Sequence, residues 1–259
     1  MENFFGKIRK LYRILKSPAS FYYYPKPTLD HHRLCFSQEG EDMILSRLFS
    51  SQKEGFYIDI GAHHPQKFSN TYGFYLKGWR GINIDAMPGS MEPFERVRAE
   101  DINLEAAIAR DSGMLTFYSY NNPVLNTFSK SVHEQRLGNK EFSHLYPVRE
   151  ALQIETHPLV AILEQHLPED QVIDFMSIDV EGLDYEILSS NDWSRYRPKV
   201  VIAEDIDSVS LSSAQNCSVS TLMFGQGYEL IAKTVNSLFF LDHSLEISDN
   251  FCDLRVKRA

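Results

Sequence analysis

The chain's 259 residues are 43% hydrophobic and 24% charged, an ordinary globular composition with enough apolar mass for one large domain. A net charge of −9 argues against a nucleic-acid partner across the whole surface. The sparse set Cys35, Cys217 and Cys252 argues against a disulfide framework and fits a reducing cytoplasm. His31, His32 and Cys35 lack the second half-site that a metal cluster needs.

Charge is spread unevenly. Lys7, Arg9, Lys10, Arg13 and Lys16 interleave with Phe4, Ile8, Leu11 and Leu15, a spacing that predicts a basic amphipathic helix over residues 1–16. It is too short to span a bilayer and carries no signal-peptide cleavage pattern. Two readings stand: the helix packs on the protein itself or on a second subunit of a homodimer, or it lies as a peripheral contact on the inner membrane face. The stretch SPASFYYYPKPTLD reads as an extended arm. We therefore divide the chain into an arm over 1–35 and one domain over 36–259.

A short helix is expected from Glu41 to Phe49, with Met43, Ile44, Leu48 and Phe49 toward one side. GFYIDIGA is a continuous apolar run of the kind that forms a buried parallel strand. Ser69, Asn70 and Thr71 predict the start of a helix that ends at Gly78. RGINIDA is a second buried strand, residues 88–98 a helix, DINLEAAIA a third strand, and GMLTFYSY an alternating antiparallel strand. Residues 121–150 lose periodicity and read as a polar, largely irregular insertion with room for some helix, the usual form of a lid or binding loop. Thr156 is expected to cap a helix reaching His166. VIDFMSIDVEG and PKVVIAED are apolar strands flanking the helix LDYEILSS. A helix near 219–225 then precedes a hairpin, YELIAKTVNSLFFLD, turning at Asn236 and Ser237. This alternation predicts a doubly wound, mostly parallel α/β sheet with a C-terminal antiparallel hairpin.

In such sheets ligands bind beyond the carboxyl ends of the strands. The first strand ends at Asp59, Ile60 and Gly61, and the next at Asp85, where a carboxylate can accept both hydroxyls of a ribose. A dinucleotide needs further glycines so that its pyrophosphate can approach a helix N-terminus. Here Gly61 is followed by Ala62, His63, His64 and Pro65, which favours S-adenosylmethionine, a cofactor without phosphate. Asp59 serves either to anchor the ammonium of that cofactor or to cap a strand end.

The segments FSQEGEDMIL, YIDIGAHHP, FSNTYGFYLKGWRGINIDAMPGSM, DINLEAAI, LNTFS, DFMSIDVEGLDYEILSSNDW and YRPKVVIAED follow one another in the order seen in FkbM-type S-adenosylmethionine-dependent methyltransferases. The chain resembles the branch of that family whose first turn reads Gly-Ala-His-His-Pro, over roughly residues 36–205. The resemblance implies a class I methyltransferase (Rossmann-like) fold and O-methylation of a sugar or glycan-type acceptor. It places Asp59, Gly61, Ala62, Ser69, Asn70 and Thr71 on the methionine side of the cofactor. Asp85 and Ala86 fall at the ribose, and Asn103, Glu105 and Ala106 near the adenine. The arm and the 121–150 insertion fall outside it.

Methyl transfer to oxygen is an in-line displacement in which the acceptor hydroxyl must also lose a proton. Asp179, Glu204 and Asp205 end neighbouring strands, and clustered carboxylates of this kind suit Mg²⁺ or Mn²⁺. The resemblance to metal-dependent catechol-type O-methyltransferases supports that reading. Against it, Asp179 and Glu181 cap the next helix and the other two are solvated. Asp179, His63 and His64 are the candidates for catalysis, His64 marginally ahead of His63; both histidines are equally readable as shaping the turn. Gln38, Glu41 and Asp42 either fold over the cofactor or follow a cap at Ser37. Trp79 is expected in the core, and Tyr118, Tyr120 and Phe128 are candidates for a sugar-stacking wall.

Overall fold

The apolar runs become strands because they have nowhere polar to face. In the computed structural model, which describes residues 33–244, the strands are β1 (Phe56–Ile60), β2 (Arg80–Asp85), β3 (Ile102–Glu105), β4 (Ala107–Ile108) and β5 (Gly113–Tyr120). They continue with β6 (Val148–His157), β7 (Phe175–Ile178), β8 (Val200–Glu204), β9 (Tyr228–Lys233) and β10 (Ser237–Asp242). The helices are α1 (Glu41–Leu48), α2 (Tyr72–Tyr75), α3 (Met91–Val97), α4 (Lys130–Gly138), α5 (Lys140–Leu145), α6 (Leu159–His166), α7 (Asp184–Ser189), α8 (Leu211–Ala214) and α9 (Ser218–Gly225). The expected basic helix over 1–16, most of the arm, and Cys252 lie outside the described residues. Among the described residues no helix is long and apolar enough to cross a membrane.

Seven strands form one sheet in the order β3-β2-β1-β7-β8-β10-β9. The five from β3 to β8 run parallel, and β10 is antiparallel to both its neighbours. This is the Rossmann-like sheet with a C-terminal antiparallel hairpin that the sequence predicts. All five residues of β1 are buried, which explains why its sequence does not alternate: both sheet faces are covered. Trp79 packs edge-on to Phe74 at 4.8 Å and beside Phe49 and Phe175 in the cluster on one face; Ile58, Ile60, Met176 and Leu163 belong to the core on the other. In α1 the fully buried apolar residue is Leu45, which joins Phe49, whereas Met43, Ile44 and Leu48 are only half-buried.

Strand order reverses between β1 and β7, and there the backbones nearly touch. Gly61 has φ +79°, and a Cβ on it would lie 1.8 Å from the Asp179 carbonyl oxygen, so a side chain at this position collides with the next strand.

Three local expectations change. DINLEAAIA is not one strand: Ala106 donates its amide to the Asp85 carbonyl, and the chain then leaves the large sheet to start a second one, ordered β4-β6-β5. Thr156 caps no helix. It lies within β6, where its hydroxyl donates to the Asp111 and Gly113 carbonyls, and Pro158 stands at the start of α6 with its φ fixed by the ring. Cross-strand pairing to β5 overrides the capping signal here. The 121–150 insertion is largely ordered structure, with α4 and α5 capped by the Ser129 hydroxyl and the Asn139 side-chain carbonyl.

Candidate active site

Beyond the carboxyl ends of β1, β2, β7 and β8 opens a cleft of about 590 Å³, a size suited to a small molecule. Its position follows from the strand reversal, because diverging loops leave a crevice there. Gly61, His63, His64, Asp85, Ala86, Ala106, Asp179 and Glu204, all singled out from the sequence, line it.

Asp85 is held rather than free. Its Oδ2 accepts the His63 amide at 2.9 Å and its Oδ1 accepts the Met87 amide at 2.8 Å, which fixes the carboxylate at the edge of the cleft. Loss of hydration pushes its pKa up, and the two amide donors and His63 oppose that shift.

The residues assigned to the methionine side lie mostly beneath the floor. The Asp59 carboxylate accepts the Thr71 hydroxyl at 2.6 Å inside a buried network around Arg98, which is fully enclosed. Arg98 Nε donates to Asp101 at 2.9 Å, and its Nη2 donates to the Tyr57 and Thr71 hydroxyls. Burial raises the Asp59 pKa and Arg98 opposes the rise. Ser69 accepts the amides of Thr71 and Tyr72, starting α2, while Asn70 donates to the Ser177 hydroxyl at 2.9 Å. Asp59, Ser69, Asn70 and Thr71 thus brace the turn, and Ala62 packs beneath it with Met91 and Phe94. On the other side, Asn103 binds Asn83, Glu95 and the Arg98 carbonyl, and Glu105 accepts the Gly89 amide. Neither borders the cleft, whereas Ala106 does. Arg98 left no signal in the sequence beyond being one arginine among polar neighbours.

The two histidines separate clearly. His64 Nδ1 accepts the amides of Gln66 and Lys67, each at 3.0 Å, so its proton sits on Nε2 and the ring is committed to shaping the turn. Both histidines border the cleft, but only His64 has its Nδ1 taken up by the turn. His63 occupies the left-handed region with φ +52°, and burial lowers its pKa against the opposing pull of Asp85.

The acidic cluster is also redrawn. Carboxylate oxygens of Asp179, Glu181 and Glu204 lie within 4.8 Å of one another. Asp205 does not join them: its Oδ1 accepts the Ser208 amide at 3.2 Å, which turns the side chain into the loop after β8. Glu181 takes its place and pairs with Arg136 of α4. Glu181 and Gly182 adopt φ +55° and +97°, a left-handed pair that bends the chain after β7 toward the insertion. Asp179 has an open face in the cleft, yet the surrounding protein strips enough hydration to push its pKa up to about 7, with Glu181, Asp59 and Glu41 adding to the rise. Glu204 is pushed further the same way by burial and then by Asp179, Asp184 and Glu181. Both shifts favour a proton on the pair Asp179 and Glu204.

Two other walls complete the cleft. Gln38 and Asn236 border it together because Glu39 accepts the Asn236 amide and Glu41 accepts the Thr234 and Ser237 hydroxyls. Ser37 accepts the Gly40 and Asp42 amides, so capping and wall-building coexist in SQEGED. Opposite stand Met87, Phe117 and Phe128, the two rings 4.7 Å apart. Phe128 borders the cleft. Tyr118 instead stacks on His133 at 3.7 Å, and Tyr120 is buried against the same ring, so neither forms a wall.

Comparison with known proteins comes to the same place. The profile of the methyltransferase FkbM domain matches residues 59–228. No curated protein matches the chain. A crystal structure of methyltransferase FkbM from Methylobacillus flagellatus KT is similar at 12% identity with a TM-score of 0.40, covering 89% of this chain and 50% of its own, so this chain spans about half that protein's length. With the profile running from the acid of β1 through the acid pair to the first residue of β9, the chain belongs to the FkbM methyltransferase family.

Proposed function

We propose that the protein is an S-adenosylmethionine-dependent O-methyltransferase acting on a sugar-type hydroxyl, with Asp179 and Glu204 as the proton-accepting pair. The carrying observation is Asp85: a carboxylate pinned by two backbone amides at the end of β2, bordering a cleft whose first turn has no pyrophosphate glycines. In this reading Asp85 receives the ribose hydroxyls, the apolar wall of Met87, Pro88, Ala106 and Phe117 encloses the base, and Gly61 leaves room for the tail. S-adenosylmethionine supplies an electrophilic methyl group on a sulfonium and leaves as S-adenosylhomocysteine. Asp179 accepts the hydroxyl proton; its raised pKa matches it to that task near neutrality, and His63 borders the same space. Titration calorimetry tests this: S-adenosylhomocysteine is expected to bind with one site per chain and NAD not at all. Failure of S-adenosylhomocysteine to bind overturns the reading.

The cluster of Asp179, Glu181 and Glu204 supports a second reading, in which Mg²⁺ or Mn²⁺ is held there and acidifies the hydroxyl. The pairing of Glu181 with Arg136 removes much of that site's free negative charge, which is why proton sharing is preferred. Activity lost on chelation and restored by Mg²⁺ or Mn²⁺ would favour the metal; activity indifferent to chelation would exclude it.

A further inference from the structure

A second cavity, of about 460 Å³, lies between the insertion and the loop after β8. Val132, Gln135 and Arg136 of α4, Phe142 of α5 and Tyr185 of α7 form one side of it, and Asp205 and Asp207 the other. It shares Glu181, Glu204 and Ile206 with the first cleft, so Glu204 of the acid pair borders both compartments, whereas Asp179 borders the first alone, and molecules held in the two would meet at Glu204. A displacement in line requires donor and acceptor to meet.

The lining also constrains charge. Glu181, Asp184, Glu204, Asp205 and Asp207 contribute carboxyl groups, and Arg136 is the one cation among the lining residues. Its guanidinium is paired with Glu181 and also donates, at 2.6 Å, to the Leu125 carbonyl. A phosphate placed here would meet an acid-rich lining whose one cation is already paired with Glu181, an arrangement that selects against it. Hydroxyl groups fit: they donate to carboxylates and carbonyls, while Tyr185 and Phe142 give the lining apolar surface suited to the C–H groups of a sugar.

We infer that this second cavity receives the methyl acceptor, and that the acceptor is an uncharged, polyhydroxylated molecule rather than a sugar phosphate or nucleotide sugar. This rests on the methyl-donor reading given above and narrows its substrate class.

The test presents the full chain with S-adenosylmethionine carrying a labelled methyl and two matched panels: uncharged methyl glycosides and oligosaccharides, and the corresponding sugar phosphates and nucleotide sugars. Label is expected in members of the uncharged panel alone. Label in the phosphorylated panel, or in neither panel while S-adenosylhomocysteine still binds, overturns the inference. A protein that fails to bind S-adenosylhomocysteine would instead overturn the donor reading on which it stands. Gln135 is exposed on α4, so Gln135→Trp fills the cavity without touching the core. It is expected to raise the KM of the labelled glycoside at least 10-fold and leave the S-adenosylhomocysteine Kd within twofold. An unchanged KM in this variant and in Tyr185→Ala, which removes a ring from the lining, overturns the placement.

Discussion

The floor of the first cleft and the outer wall of the second cavity hold their residues in place by different means. The floor is anchored in buried chemistry: Asp59, Thr71, Arg98, Tyr57 and Asp101 are all enclosed and joined by hydrogen bonds of 2.6–3.0 Å. The outer wall, α4 and α5, buries no residue fully and is tied to the sheet side by Arg136 and by the Thr127 hydroxyl donating to the Glu181 carbonyl at 2.8 Å. A rigid floor suits a cofactor that is always the same. A lightly held wall suits an acceptor that must enter and leave.

Breaking the floor should have the largest effect. Arg98→Met leaves Asp59 and Asp101 without their buried counter-charge and is expected to destabilise the fold by about 3–5 kcal/mol, read by urea unfolding. Arg136→Ala at the wall should cost far less, about 1 kcal/mol, as expected for a half-buried tie. Hydrogen exchange should then quicken over residues 121–147 and leave β1, β2 and β7 unchanged. Equal losses in the two variants would erase the distinction.

Next in size are the acids where the two regions meet. Asp179→Asn should lower methyl transfer by roughly 10²–10⁴-fold, the usual range for removing a general base, with S-adenosylhomocysteine affinity retained. In the unmodified protein the rate should climb as pH rises through about 7, because Asp179 must lose its proton to act. The stability sign runs the other way. A carboxyl whose pKa is higher folded than unfolded holds its proton more tightly when folded, so its contribution falls as pH rises from the unfolded value to about 7. Asp179→Asn should therefore raise the melting temperature at pH 8 and leave it nearly unchanged near pH 4. A variant less stable than the parent at pH 8 would contradict the burial of that charge.

The smallest contrast concerns the histidines. His64→Ala removes the acceptor for two amides and should cost about 1–2 kcal/mol of stability with kcat little changed. His63→Ala should do the reverse, lowering kcat more than stability. An identical profile for both would return them to a shared structural role.

How much of this was legible in the sequence follows the same boundary. Strands buried on both faces, such as FYIDI and RGINID, announce themselves as apolar runs, and their carboxyl-end acids then mark the crevice. Asp85 and Asp179 could be read in that way. Arg98 could not, because a buried guanidinium is paired through residues distant in sequence and leaves no periodicity. Asp205 was misplaced because a strand-end pair of acids does not reveal that one side chain turns back to cap Ser208. The insertion was the least legible. Its helices bury almost nothing, so they lack an apolar stripe, and β6 alternates weakly because only one of its ten residues is buried.

The central claim is that Asp85 receives the ribose and the acid pair faces the reacting centre. A crystal structure with S-adenosylhomocysteine tests it most directly. The account predicts both ribose hydroxyls on the Asp85 carboxylate and the sulfur turned toward Asp179 and Glu204. A ligand seated elsewhere, or an Asp85 carboxylate without ribose contact, would contradict it.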